Sequence, residues 1–189
     1  MKNTNLLFCI SSLDGRYHDT TKILAPYFSE FALIKKRVMI EGKYLMLLSD
    51  KKIIRTFSEQ EKSFFYDLIT NFSLEDAEKI KQNEEKYKHD VKAVEYFLRD
   101  ALAKTSLKDI SHYIHFGLTS EDINNLSISS LLHESNQEVI LPHIKHILAT
   151  IQTLGLEYKK TPMLALTHGQ PAVPTTFGKE LAIFHARIE

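Results

Sequence analysis

Residues 138–160 read EVILPHIKHILATIQTLGLEYKK, and the spacing of their apolar side chains decides the fold class. Val139, Ile140, Ile144, Ile147, Leu148, Ile151 and Leu154 recur at helical intervals. Pro142 is tolerable in a first helical turn, where its missing N–H would have no helical partner anyway. Thr161-Pro162 stops the pattern. The apolar surface is too broad for a free helix, so the segment reads as one helix of a bundle completed by others.

Working outward, the same period dominates. Ser29 is placed to cap a helix with Phe31, Ile34, Val38, Leu45 and Leu48 along its stripe. Ser58 with Glu61, and Ser73 with Asp76, have the spacing of capping boxes. The charged run Glu75–Lys88 reads as a solvated face and an irregular approach to His89. Val91, Val94, Leu98 and Leu102 line a further helix, and Ile110 to Phe116 a short one ending at Gly117. Thr119 with Asp122 opens a helix that turns Ile123, Leu126, Ser130 and Leu131 inward. Phe177, Leu181, Phe184 and Ile188 begin another, which reaches Glu189 without a stop signal and reads as a helix cut in mid-pattern. No period-2 strand stands out. The expected fold is all-α, with an N-terminal helical domain over 1–118 and the first part of a long-helix bundle domain over 119–189.

Composition narrows the function. Lys and Arg number 24, as do Asp and Glu, so the net charge is zero. A non-specific nucleic-acid binder needs a basic field, so that class is set aside, although local basic groups can still meet one small phosphate. Cys9 is the only cysteine, which precludes an internal disulfide and fits a reducing, cytoplasmic setting. Residues 1–10 lack the features of a secretory signal, and no window approaches 18 apolar residues, so no membrane span is expected.

Chemistry concentrates in four stretches. Residues 166–176, LTHGQPAVPTT, hold an imidazole, an amide and three hydroxyls where a plain connector would suffice. Pro171 and Pro174 stiffen this loop, and a titratable ring held on a stiff loop suits general acid catalysis. The residues alone leave open a polar loop whose His168 caps a neighbouring helix. SSLDGRY at 11–17 follows a turn signal with Arg16, a planar fork for phosphate, and the hydroxyl of Tyr17. KHDVKAVEYFL at 88–98 sets His89 and Asp90 at a helix start, and HFGLTSEDINN at 115–125 does the same with Thr119 and Ser120. First-turn N–H groups and the helix dipole favour an anion there, though an ordinary cap has the same appearance. His112-x-x-His115 and His143-x-x-His146 lack the Glu of a His-Glu-x-x-His site and a local third ligand, so no metal site is expected.

In order and spacing, these four stretches resemble the N-terminal part of the bacterial adenylosuccinate lyase family, within the fumarase/aspartase superfamily. The resemblance runs from about Ser11 to the last residue. It implies β-elimination of fumarate from adenylosuccinate and from the related succinyl-carboxamide nucleotide, without metal or cofactor. It implies that His168 is the general acid and that Arg16 and Tyr17 bind the nucleotide phosphate. Lys88, His89 and Asp90 would line the substrate pocket, with Lys88 standing where some members carry Asn. Thr119 and Ser120 would hold the dicarboxylate, with Gln170 among the substrate contacts. It further implies a homotetramer whose active sites are shared between subunits. The family's catalytic base, a serine in a later signature loop, has no counterpart here, so the chain reads as about two-fifths of an enzyme. Lyases of argininosuccinate, aspartate or malate fit less well, because their substrates lack the nucleotide phosphate that Arg16 and Tyr17 would bind. A different class, a non-catalytic helical module that only binds ligand or assembles, is the alternative for a chain without the base.

Overall fold

The structure is a computed structural model that describes residues 6–189, so the reading of residues 1–10 falls partly outside it. After a short 3-10 turn, Leu6–Phe8, come two single-turn helices, α1 (His18–Thr21) and α2 (Ala25–Phe28). Four longer helices follow: α3 (Glu30–Asp50), α4 (Glu59–Thr70), α5 (Leu74–Tyr87) and α6 (Asp90–Leu102). A 3-10 segment, Ser106–Tyr113, leads to α7 (Ser120–Ser135). A π-helical turn at Asn136–Ile140 continues into α8 (Leu141–Glu157). The hairpin strands β1 (Pro162–Thr167) and β2 (Gln170–Thr176) precede α9 (Phe177–Ile188). Cα packing divides the chain into two compact units, meeting between Glu134 and Ser135. The 1–118 and 119–189 division drawn from helix lengths is kept as a proposal about domain organisation.

In the first unit the caps act as their side chains dictate. Ser29 Oγ accepts the Ala32 N–H, and Ser58 with Glu61, like Ser73 with Asp76, forms a complete capping box. The stripe Ile34, Val38, Leu45 and Leu48 of α3 is buried against Phe65 of α4, Ile80 of α5, and Val94, Leu98 and Leu102 of α6. Glu61 also receives Arg55, whose guanidinium reaches it at 2.8 and 3.0 Å and Asp109 at 2.6 and 2.9 Å. Two helix-region expectations change. Residues 75–87 are regular helix rather than an irregular approach, because the Ser73 box starts the helix and Lys88, at φ 53, ends it. Leu126 faces outward while Ser127 is buried, since α7 turns Ile123, Ser127 and Leu131 to the core.

In the second unit the connector at 162–176 is a β-hairpin. Thr167 pairs with Gln170 across a two-residue turn of His168 (φ 51) and Gly169 (φ 75). Positive φ at both positions is what a type I′ turn requires. Pro171 and Pro174 disguise the strand in the sequence, but a two-stranded ribbon has only edges, where a missing N–H is tolerated. Helices α8 and α9 approach closely at Gly178. A Cβ there would overlap the Gly155 carbonyl oxygen and stand 2.6 Å from the backbone N and Cα of Lys159. By length and composition the helix Ser120–Glu157 is long and apolar enough to cross a membrane, a test that the core helix of a soluble protein passes as well. Counting uninterrupted apolar residues missed it, because Ser, Thr and Gly are interspersed among the aliphatic side chains.

Two outcomes follow from this packing. The Arg55 bonds, then the Ser58 N–H and Ser106 hydroxyl, hold the Glu61 carboxyl at about 2 against an ordinary 4.5. A lowered folded value means stability that is complete above roughly pH 5 and lost as pH falls through the interval between those values. The stability difference between wild type and Glu61→Gln, read from urea melts, should therefore shrink as pH drops from 6 to 3. Gly178→Ala should cost about 1–3 kcal/mol by overpacking, seen as a lower unfolding midpoint. Gly155→Ala, with its nearest atom at 3.6 Å, should leave the midpoint unchanged or raised.

Candidate active site

Two of the sequence-marked stretches meet in the first unit. His89 caps α6: its Nδ1 accepts the Lys92 N–H at 3.3 Å. That bond fixes the ring and leaves Nε2 directed elsewhere, 3.4 Å from Ser120 Oγ. Ser120 opens α7, so a ring on one helix start and a hydroxyl on another converge at helix N-termini, where anions are favoured. Thr119 is differently placed. Its N–H and hydroxyl both donate to Asp122 Oδ2, at 2.7 and 2.9 Å, and these bonds hold that carboxyl below its ordinary range. Of the two hydroxyls, that of Ser120 is therefore the freer to meet a ligand. Lys88 contributes a left-handed backbone joint, its N–H donating to Glu84 O at 2.7 Å, which turns the chain from α5 to the His89 cap.

Asp90 faces inward to a partner that sequence reading missed. Arg37 is buried, and its Nη2 donates to Asp90 Oδ2 at 2.6 Å while Nε donates to Asn124 Oδ1 at 3.0 Å. One guanidinium thus ties the start of α6 to the first turns of α7. Burial alone would raise the Asp90 carboxyl, but the Val91 N–H and then Arg37 hold it below its ordinary value. The missed signal lies in the stripe of α3: Arg37 and Glu41 occupy buried positions between Ile34, Val38 and Leu45. A charge on a core-facing stripe needs a specific partner, and so marks a network.

The other marked residues are described each within its own unit. Arg16 and Tyr17 are exposed, with the guanidinium 5.6 Å from the Tyr17 ring centroid. His168 stands exposed at the hairpin tip of the second unit and Gln170 opens the returning strand. One member of each histidine pair is otherwise engaged: His115 Nδ1 lies 2.6 Å from Glu41 Oε1, and His143 Nδ1 lies 2.8 Å from Val139 O. Among the described residues no group of three His, Cys, Asp or Glu side chains could hold a metal ion.

The lyase family model matches residues 15–189. Adenylosuccinate lyase of Legionella pneumophila (strain Corby) is 45% identical over 187 residues, 97% of this chain and 41% of that protein. The enzymes of that name from Dictyostelium discoideum and Escherichia coli K12 are 43% and 42% identical, covering 98% and 97% of this chain and 41% of each relative. The chain therefore spans about two-fifths (41%) of the length of these curated relatives. Among solved structures, fumarate lyase from Mesorhizobium sp. BNC1 superposes with a TM-score of 0.73 at 20% identity, covering 88% of this chain and 37% of that one. β-Carboxy-cis,cis-muconate cycloisomerase from Acinetobacter calcoaceticus sp. ADP1 gives 0.72 at 16%, covering 88% and 38%. These two likenesses establish the fold.

Replacing Arg37 tests the clip. In Arg37→Met the Asp90 carboxyl should titrate at a higher pH by NMR, and stability should fall by about 1.5–3 kcal/mol, the scale of hydrogen bonds to charged groups. An unmoved Asp90 titration would show that Arg37 does not govern that carboxylate.

Proposed function

The chain belongs to the lyase family whose model spans residues 15–189, and on that premise we propose that it forms the N-terminal part of an adenylosuccinate lyase. The observation carrying this reading is the 40–45% identity to adenylosuccinate lyases across nearly the whole chain. Its geometric support is the approach of His89 to Ser120, on two of the stretches that the resemblance singled out.

In the proposed reaction a base removes the proton beside a substrate carboxylate. The C–N bond breaks, fumarate departs, and the leaving nitrogen takes a proton from His168 to give AMP. The succinyl-carboxamide nucleotide would follow the same course. The base is assigned to a part of the protein beyond these 189 residues. Ser120, with the α7 N-terminus and Thr119 behind it, would stabilise charge building on the carboxylate as the proton leaves. His89 would hold substrate charge, Asp90 would line the pocket, and the Lys88 joint would set the His89 cap. Arg16 and Tyr17 would take the nucleotide phosphate, and Gln170 would contact substrate beside His168. The assembly is proposed as a cytoplasmic homotetramer with shared active sites, without cofactor, nucleic-acid partner or membrane.

The protein carrying this chain should convert adenylosuccinate to AMP and fumarate, followed by the ultraviolet spectrum of the nucleotide. Release of fumarate from argininosuccinate instead would displace the reading. His168→Asn is the informative variant, because Asn tolerates the left-handed φ of 51 that this turn position requires. The fold should survive, and kcat should fall about 10²–10⁴-fold, the usual contribution of a general acid. A near-normal kcat with an unchanged pH profile would remove His168 from proton transfer.

A further inference from the structure

Helix α3 also reaches the turn that leads into Thr119 and Ser120. Tyr44 Oη donates to the Phe116 carbonyl at 2.9 Å. One helical turn from Arg37, Glu41 is fully buried and commits both oxygens to a single residue: Oε1 lies 2.6 Å from His115 Nδ1, and Oε2 accepts the His115 backbone N–H at 3.2 Å. Burial pushes the Glu41 carboxyl up, and the His115 bonds pull the other way. An apolar side chain would fill such a core position without the desolvation cost, so packing does not account for a carboxylate here.

What the two bonds grip is a strained joint. His115 has φ 63 and Gly117 φ 73, and the Leu118 N–H closes the turn on His115 O at 3.2 Å. A residue with a Cβ holds a left-handed φ only when its surroundings over-determine it. Holding ring and peptide of the same residue together does that. The chain then enters α7 three residues beyond Gly117, at Ser120, with Thr119 immediately before it.

We propose that Glu41 is a positioning residue: through His115 it fixes the 115–118 turn and thereby the placement of Thr119 and Ser120 beside His89. Its kinetic consequence rests on the function proposed above, whereas its structural consequence does not. The test uses Glu41→Gln, His115→Ala and His115→Asn in the full-length protein. Asn tolerates left-handed φ and carries an N–H donor at the same branch position as Nδ1. Amide hydrogen exchange over 115–120 should speed up about tenfold or more in Glu41→Gln and His115→Ala, with α6 unaffected. Their kcat/KM for adenylosuccinate should fall by about tenfold or more, since small misplacements of binding groups are costly. His115→Asn should restore both to within about threefold of wild type. Unchanged exchange in the first two variants would overturn the proposal whatever the kinetics. So would His115→Asn as impaired as His115→Ala, which would make the imidazole itself the functional group. If Glu41→Gln fails to fold, the comparison of Ala with Asn at His115 decides. A wild type that ignores adenylosuccinate would sink the functional reading alone, leaving hydrogen exchange to judge the positioning role.

Discussion

The constraint on which the first unit depends is the burial of charge on α3. Arg37 and Glu41 sit on the stripe that supplies the core, and neither can stay there unpaired. Each satisfies itself on a different neighbour: Arg37 on Asp90 and Asn124, Glu41 on His115. The helix that builds the apolar core therefore also fixes the segments that carry the sequence-marked chemistry. His89 and Ser120 approach each other because the starts of α6 and α7 are tied to one guanidinium. Packing and site geometry share the same helix face.

The second unit is organised by the absence of side chains. Gly178 lets α8 and α9 meet backbone to backbone, and the Gly178 N–H donates to Tyr158 O at 3.1 Å across that contact. The hairpin before α9 is thereby anchored at one end, where the Phe177 N–H also bonds Thr161 O. Its other end is the His168-Gly169 turn. Leu164, Leu166 and Val173 of the ribbon are exposed, and a two-stranded ribbon has little independent stability.

Local rules made most of the fold legible. Ser29, Ser58 and Ser73 start helices where their side chains predict, and the stripes of α3 and α6 are buried as spaced. The hairpin is hidden in the sequence because two prolines break the strand pattern and His-Gly is not among the dipeptides that mark a two-residue hairpin turn. Within the site, Asp90, Thr119 and Ser120 were legible as polar groups at helix starts. Arg37 and Glu41 were not, because periodicity records that a stripe exists and passes over a charge embedded in it. Asp122 reads as a cap from its spacing, whereas its hold on the Thr119 hydroxyl, which sets Thr119 apart from Ser120, appears only in the folded geometry.

Among the described residues, Lys52, Lys88, His115 and His168 are the side-chain-bearing positions with left-handed φ. Three of them, Lys88, His115 and His168, belong to the stretches that the sequence marks as candidates for chemistry. At such a position the chirality of the α-carbon, rather than any contact of the side chain, sorts the permitted amino acids. β-Branched residues are shut out, while Asn, Asp and Gly pass. At each of these positions the mutational neighbourhood is therefore narrowed by the handedness of the backbone as well as by the surroundings of the side chain.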